Sequence, residues 1–402
     1  MSIERKPGRF VQSLVLGTLR AYMKHRSEII VERNDTLRMK PPYLIVGNHV
    51  NNWDPLLINA YVKEPICFTA ADPLFRHPWL RRLLHYTGAI PKAKLKADTS
   101  AIRAMLRAKQ HRRVIGLFPE GNRNWDGSTE PLIYATAKLV RTLNIPVVAA
   151  VIKGGHLSHP RWAATPRSGP IVLSLVRVWD EGELAGQSTD SIYQRLTDSL
   201  HHDESAWQAE RQHIYAGKRL AEHLERYLFL CPHCQTIGHM RSNADILRCQ
   251  ACGYTVRYSL QGVFSLELDG TPLYFDTPRE WNRWQLTVME DSLFANGELT
   301  ELWRTAMRDR VRLMSADASD PLHDHGKGSI TWRKDKLVFR SERGSSMEFP
   351  LTELEGVNVQ MNNKMDFYMG TRFYRFVFYL PHTSAYKWVT ALRMKEQAGG
   401  AS

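Results

Sequence analysis

The sequence predicts an α/β layered domain with a mostly parallel central sheet, followed by a small metal-binding ribbon and a β-rich domain. Short apolar runs alternate with helical patterns up to about residue 215, and four cysteines cluster between residues 231 and 252. Aromatic, alternating segments fill the rest of the chain. We therefore divide the 402 residues into three regions, 1–215, 216–258 and 259–402.

The first region contains apolar runs that have the length of buried strands. These runs are 42–47, 65–69, 114–118, 147–152 and 171–178. Helical patterns lie between or after them, at 101–113, 131–143 and 187–199. This alternation is typical of parallel strands joined by helical crossovers.

The second region begins with a charged pattern that predicts a linker helix, and it ends in the cysteine cluster. In the third region, alternating segments predict antiparallel strands. They are 329–332, 336–341, 346–351, 355–360 and 373–380, with a closing helix at 384–395. Residues 315–328, rich in Asp, His, Gly and Ser, are the nearest to a linker.

Composition indicates a folded protein with anionic partners. The apolar fraction is 43%, the charged fraction 24% and the formal net charge +13. Nucleic acid, anionic lipid and phosphorylated substrates all remain open on charge alone. The N-terminal segment lacks a secretory pattern, and no apolar run reaches the roughly 18 residues of a membrane span. We expect a cytoplasmic protein.

A histidine and an aspartate follow the apolar run at 42–47. His49 stands where the strand ends, and Asp54 precedes Pro55. An aspartate that accepts from one imidazole nitrogen leaves the other nitrogen free to act as a base. The alternative is that Asp54 only caps a helix and His49 is an ordinary loop histidine.

A second polar loop follows the run at 114–118. Gly121 permits close backbone approach to a ligand, and Arg123 offers a planar set of donors suited to phosphate. Glu120 could accept from a substrate hydroxyl or hold Arg123. The alternative is a strand-ending turn in which Glu120 and Arg123 pair with each other.

Together these loops resemble the lysophosphatidic acid acyltransferase superfamily, the glycerophospholipid acyltransferases. The first block of that family is Asn-His, four residues, then Asp, as at Asn48, His49 and Asp54. The third block is Phe-Pro-Glu-Gly-x-Arg, as at 118–123, about 70 residues later. The resemblance covers roughly residues 10–200 and implies the layered glycerolipid acyltransferase fold.

The other two blocks are similar but less specific. Residues 88–94 resemble the second block, with Lys94 in the usual arginine position and Lys92 as an extra candidate. Residues 145–151 resemble the fourth, a strand containing proline. Asn124 stands where the family often has a small hydroxyl residue, so the departures concern the acceptor rather than the reaction.

The resemblance implies the reaction and the roles. His49 would be the general base and Asp54 its orienting partner. The donor would be acyl-CoA or acyl-carrier protein, and the acceptor lysophosphatidic acid, glycerol phosphate or a related lysophospholipid. Its phosphate and glycerol would contact Glu120, Gly121, Arg123, Lys94 and Lys92. A lipid-binding regulator without activity is the rival class.

The segment 10–24 carries apolar residues at helical spacing together with cations. Such a helix can lie on an anionic membrane, or it can pack on the core of its own domain. Related family members use an N-terminal helical element for membrane contact. We therefore expect peripheral association with the inner face of the cell membrane.

The cysteine cluster consists of two Cys-x-x-Cys motifs separated by 14 residues. This spacing resembles a zinc ribbon and predicts a structural zinc ion with no open coordination position. The four ligands would be Cys231, Cys234, Cys249 and Cys252. Few cations or aromatic residues accompany the motifs, so we do not expect nucleic acid as a partner.

The third region resembles a pleckstrin-homology-like domain in its pattern of strands followed by a helix. Basic residues cluster on what the sequence predicts as its first hairpin, where such domains hold anionic lipid. They are Arg333, Lys334, Lys336, Arg340 and Arg343. The alternative is a β-rich partner domain with a solvated basic hairpin.

Overall fold

The computed structural model describes residues 3–4, 8–76, 78–92, 99–267, 270–317 and 320–399. The chain divides into two compact units. The first unit comprises residues 1–161 and 166–216, and the second comprises residues 162–165 and 217–402.

The first unit is built on a seven-stranded sheet. Its strands are β1 (Glu28–Asn34), β2 (Tyr43–Gly47), β3 (Ile66–Ala71), β4 (Ile90–Lys92), β5 (Val114–Leu117), β6 (Val147–Lys153) and β7 (Pro170–Trp179). They lie in the order β1-β7-β6-β2-β5-β3-β4. Neighbours are parallel except for β6 and β7, which confirms the mostly parallel sheet.

Helices cover both faces of this sheet. They are α1 (Arg9–Arg26), α2 (Asp54–Tyr61), α3 (Pro78–Thr87), α4 (Thr99–Gln110), α5 (Ala135–Leu143), α6 (Gly155–Ser158), α7 (Thr189–Leu200) and α8 (Glu204–Arg211). Leu44 and Val46 of β2 belong to the core cluster that contains residues of α4, α5 and α7. Tyr43 and Ile45 belong to the cluster that contains residues of α1 and α2. Because alternate side chains of β2 face opposite sides of the sheet, the first unit has two hydrophobic cores and three layers.

The five apolar runs correspond to β2, β3, β5, β6 and β7, and the three helical patterns to α4, α5 and α7. The sequence did not predict β1 and β4. Both lie at the edges of the sheet, where one face or side stays exposed and the apolar pattern is weak. In β1, the sequence Glu-Ile-Ile-Val-Glu-Arg-Asn alternates exposed and half-buried positions only in part.

Helix α1 contributes little of its surface to the core. Leu16 and Met23 are buried, whereas Phe10, Leu14 and Val15 are 80%, 61% and 54% exposed. Within the residues that the structure describes, no helix is both long enough and apolar enough to cross a bilayer.

The second unit contains the cysteine motifs near the start of its main segment. Its first elements are β8 (Met240–Asn243), β9 (Ile246–Cys249), β10 (Thr255–Tyr258), β11 (Phe264–Leu266), α9 (Pro278–Ser292), β12 (Phe294–Ala295), β13 (Glu298–Leu299) and α10 (Glu301–Ala306). The first four strands form one antiparallel sheet, and β12 and β13 form a small hairpin.

The remainder of this unit is an antiparallel sheet of seven strands in the order β17-β16-β15-β14-β20-β19-β18. The elements are β14 (Arg308–Asp317), β15 (His323–Arg333), β16 (Lys336–Ser341), β17 (Ser346–Pro350), β18 (Glu355–Gln360), β19 (Lys364–Met369), β20 (Arg372–Val377) and α11 (Ala385–Gly399). The antiparallel prediction is confirmed, and the pleckstrin-homology-like assignment stays a prediction.

Two predictions for this sheet were wrong. Residues 315–328 are not a linker, because β14 continues to Asp317 and β15 begins at His323. The basic hairpin is therefore the second of the sheet, β15–β16, and not the first. The sequence pattern did not predict this pairing, because β15 carries polar and glycine residues at its exposed positions.

The linker helix predicted at the start of 216–258 is also wrong. The structure has only a three-residue 3-10 helix, Leu224–Arg226, in this segment. Arg219 and His223 adopt positive φ, which ends helical geometry. The backbone N–H groups of Leu220 and His223 donate to the side chains of Asp245 and Ser242 instead of to a helix.

Close packing at Gly116 in β5 gives a test of the first unit. A Cβ atom there would lie 2.4 Å from the Phe68 ring and 2.7 Å from Ile66. We expect Gly116→Ala to lower the free energy of unfolding by about 1–3 kcal/mol, measured by urea denaturation. Gly17→Ala in α1 is the control, because a Cβ atom there meets nothing within 4 Å. An unchanged midpoint for Gly116→Ala would contradict the packing.

Candidate active site

The loop that follows β2 brings His49 against a buried carboxylate. His49 Nδ1 lies 2.7 Å from Oδ2 of Asp54, and the Asp54 side chain is fully buried. The same oxygen accepts from the backbone N–H groups of Val50 and Asn51, at 2.8 and 2.9 Å. These bonds fix the loop around the carboxylate, and they orient the imidazole so that Nε2 faces away from Asp54.

The alternative of Asp54 as a simple helix cap does not fit this geometry. Trp53 occupies the cap position of α2, and no side chain caps that end. Asp54 is the first helical residue, followed by Pro55 at a position where the missing N–H costs nothing. Its carboxylate therefore points back to the loop.

The asparagines of this loop tie it to the neighbouring strand. The Asn48 side chain donates to the Ile152 carbonyl at 2.9 Å and accepts from the Ile152 N–H at 2.8 Å. The Asn51 amide donates to the carbonyl of Gly155 at 3.1 Å. Asn51 thus serves as a structural cross-link.

Glu120 joins the two loops that end β2 and β5. Its Oε1 accepts from the N–H of His49 at 2.7 Å, and its Oε2 accepts from the N–H of Glu130 at 3.0 Å. Burial raises the pKa of Glu120 well above its ordinary value, and the two backbone N–H groups oppose that rise. Gly121, with φ of 74°, makes the turn that a side chain would strain.

Aromatic rings cover one face of the His49 imidazole. The Phe118 ring stacks on it with centroids 4.2 Å apart and planes at 17°. Phe68 stacks in turn on Phe118, with centroids 5.6 Å apart. The His49 side chain keeps 21% of its surface exposed, so a substrate can reach it while its orientation stays fixed.

Arg123 brings a positive charge to the same loop. Burial lowers the pKa of Arg123 to about 10, and the charge of Asp54 opposes that decrease. The side chain is therefore still a cation at neutral pH. The guanidinium of Arg161 donates to the Arg123 carbonyl and stacks on Trp125, 4.4 Å from the ring centroid.

Arg161 was not predicted, because it lies 38 residues away and belongs to no motif of the first three blocks. Glu204 was missed for the same reason. Its carboxylate accepts from the N–H of Gly154 at 2.9 Å and pairs with His202 Nε2 at 2.6 Å. It anchors the segment that follows β6. In the sequence, Glu204 is an acidic residue in the first turn of a helix, and this pattern does not reveal that it is buried.

The second block is described in part. Lys92 ends β4 at the edge of the sheet and is half-buried. Lys94 lies outside the described residues.

The four cysteine sulfurs of the second unit converge. The Sγ atoms of Cys231, Cys234, Cys249 and Cys252 all lie within 4.8 Å of one another. Two pairs, Cys231–Cys252 and Cys234–Cys249, are each separated by 3.7 Å. Four thiolates around zinc at about 2.3 Å require separations of about 3.8 Å, so this donor set fits a tetrahedral ion.

A family model matches part of the first unit. Residues 28–153 match the family model described as Acyltransferase. This match contains β1 to β6 and the loops of His49 and Glu120. The first unit thus carries a domain similar to that family, as the motifs predicted.

Two individual proteins are also similar to this chain. Over 104 residues it is 30% identical to the 1-acyl-sn-glycerol-3-phosphate acyltransferase of Borreliella burgdorferi. That match covers 25% of this chain and 42% of the relative, less than half of its length. The crystal structure of the 1-acyl-sn-glycerophosphate (LPA) acyltransferase PlsC from Thermotoga maritima aligns with a TM-score of 0.42 and 19% identity. That alignment covers 50% of this chain and 81% of the other.

Proposed function

We propose that the protein is an O-acyltransferase that moves a fatty acyl group from acyl-CoA or acyl-carrier protein to the hydroxyl of a lysophospholipid. Lysophosphatidic acid is the leading acceptor. The observation that carries the proposal is the 2.7 Å pairing of His49 with buried Asp54 beside the Glu120 loop. The Acyltransferase match over 28–153 and the similar 1-acyl-sn-glycerol-3-phosphate acyltransferase support it.

In the proposed reaction, His49 acts through Nε2. Asp54 accepts from Nδ1–H, so the free nitrogen takes the proton of the acceptor hydroxyl as its oxygen attacks the thioester carbonyl. The carbon–sulfur bond breaks, and the imidazolium returns the proton to the departing thiolate. The products are an ester and a free thiol. Asp54 stabilises the imidazolium between these two steps.

We propose that Arg123 binds the acceptor phosphate, with Gly121 allowing close backbone approach and Lys92 and Lys94 adding charge. A half-buried guanidinium with a planar set of donors favours a phosphate over a neutral headgroup. Glu120 acts differently from the other residues of its block. Since both its oxygens accept from backbone N–H groups, it positions the His49 backbone.

Replacement of His49 by Ala tests the reaction. We expect His49→Ala to lower turnover by about 10²- to 10⁴-fold, because the general base is removed. The assay is acyl transfer from palmitoyl-CoA or an acyl-carrier protein to lysophosphatidic acid on vesicles. His111→Ala, an exposed histidine at the end of α4, should leave turnover unchanged.

The same assay separates the alternatives. Transfer to glycerol 3-phosphate in preference to lysophosphatidic acid would change the acceptor but keep the mechanism. No transfer to any acceptor, with lipid binding unaffected by His49→Ala, would favour a non-catalytic lipid-binding regulator. Full turnover in His49→Ala would eliminate His49 as the base.

We also propose that α1 holds the enzyme at the inner face of the membrane. Its exposed apolar side chains are accompanied by Lys24, His25 and Arg26 in the last turn. We expect Leu14→Glu, at a position 61% exposed, to weaken binding to anionic vesicles at least about fivefold. Leu302→Glu, 56% exposed in the second unit, is the matched control. Equal binding by both variants would argue against α1 as the contact.

We propose further that the four cysteines hold one structural zinc ion. We also propose that the basic β-rich sheet of the second unit binds anionic lipid. We expect one mole of zinc per chain by elemental analysis, falling to well below half in Cys234→Ser. Cys67→Ala in the first unit should leave the zinc content unchanged, because Cys67 lies in β3. Zinc-free protein with undiminished stability would refute the structural role.

A further inference from the structure

The first unit contains a cavity of about 290 Å³ that the catalytic proposal does not use. It lies among the end of α1, the start of α2 and the segment that follows α6. Met23, Leu57 and Ile171 supply apolar walls, while Arg26 and Arg167 supply positive charge. Its volume is near the lower end for small-molecule sites, about 300 Å³.

One wall of the cavity is the loop that carries His49. Asn51 and Trp53 of that loop both line it. The Trp53 ring packs on Tyr22 of α1, with centroids 5.7 Å apart, and the guanidinium of Arg26 lies 6.0 Å from the Tyr22 ring. A ligand in this cavity therefore contacts the loop of the proposed base.

The segment that follows α6 also lines the cavity, and two hydrogen bonds join Ser158 to Arg167 within it. Arg167 donates its N–H to the carbonyl of Ser158 at 2.7 Å, and Ser158 Oγ donates to the Arg167 carbonyl at 3.2 Å. These two hydrogen bonds bring the ends of the loop 158–167 together, and His159 and Arg167 both line the cavity. Arg161 of the same turn contacts the carbonyl of Arg123.

The charges around His159 show how dense this positive region is. Burial lowers the pKa of His159 to about 4, and the charges of Arg123, Arg167 and Arg26 lower it further in that order. The imidazole is therefore neutral near pH 7 and can donate one N–H. None of the described side chains that line the cavity is acidic. Cations beside apolar walls suit an anionic amphiphile.

We propose that Arg26, His159 and Arg167 form a subsite that extends the phosphate site of Arg123 and contacts the same acceptor phosphate from the cavity, with the first carbons of the chain against Met23, Leu57 and Ile171. The inference rests on the proposed acyltransferase function and adds a specificity site to it. Such a subsite excludes neutral monoacylglycerols and brings the acceptor hydroxyl to the His49 loop.

The test uses a short-chain lysophosphatidic acid that stays monomeric, so that membrane binding does not contribute. We expect Arg26→Gln to raise the KM for this acceptor about fivefold, with kcat and the donor KM unchanged. Arg167→Lys keeps the charge but loses the planar donors, and its acceptor KM should rise about tenfold. Arg38→Gln, an exposed arginine away from the cavity, is the control.

Further arms distinguish a lipid headgroup from free phosphate. We expect the lysolipid to bind the full-length protein in calorimetry far more tightly than inorganic phosphate does, and Arg26→Gln to weaken it. Equal affinity for both ligands would overturn the proposal of an amphiphile. If wild type transfers acyl groups but Arg26→Gln and Arg167→Lys keep the wild-type acceptor KM, the subsite is wrong and the enzyme proposal stands.

A failure of the enzyme proposal can also be distinguished from a failure of the subsite. If wild type catalyses no transfer, the enzyme proposal fails, and calorimetry alone decides the subsite. Binding that is lost in Arg26→Gln but kept in Arg38→Gln would then support it, whereas binding unaffected by either change would overturn it.

Discussion

The hydrogen bond from the backbone of His49 to the buried carboxylate of Glu120 holds the candidate site together, at 2.7 Å. A buried carboxylate must have hydrogen-bond partners, and Glu120 finds them in the backbone of two different segments. Its position is therefore determined by both loops, and each loop is determined by it. The pairing of β2 with β5 as parallel neighbours makes this bond possible, because their carboxyl ends lie at one edge of the sheet.

The orientation of the imidazole follows from the same constraint. The Asp54 carboxylate binds Nδ1 of His49 and the backbone N–H groups of Val50 and Asn51. Phe118, which belongs to the Glu120 loop, covers one face of the His49 ring. The loop after β2 thus supplies one fixed contact to His49, through Asp54, and the Glu120 loop supplies two, through Glu120 and Phe118. With backbone, Nδ1 and one face all held, the ring presents Nε2 without losing further side-chain freedom on binding a substrate.

Positive charge is gathered around this arrangement by residues distant in sequence. The turn that contains His159 and Arg161 reaches Arg123 only because β6 lies beside β2, and the buried Glu204 anchors its start. Arginines concentrated near one edge of the sheet create a local positive field. The overall charge of +13 does not show where on the protein such a field lies. The second unit shows a comparable convergence, of four sulfurs from two distant motifs.

The sequence by itself determined the strands at the centre of the first sheet, helices α1, α4, α5 and α7, and the motif residues at the strand ends. Buried central strands are continuous apolar runs, and the motif chemistry is local, so both are visible in the residues alone. Edge strands β1 and β4 were not predicted from the sequence. The charged pattern after 216 predicted a helix, but backbone N–H groups there donate to Asp245 and Ser242 instead.

Only the tertiary structure decided that Glu120 bonds to the backbone of His49, that Arg161 supports Arg123, and that a cationic cavity adjoins the loop. These contacts join residues tens of positions apart, and their partners depend on which strands become neighbours in the sheet. Strand order is set by the packing of the whole domain, and no local pattern of residues contains it.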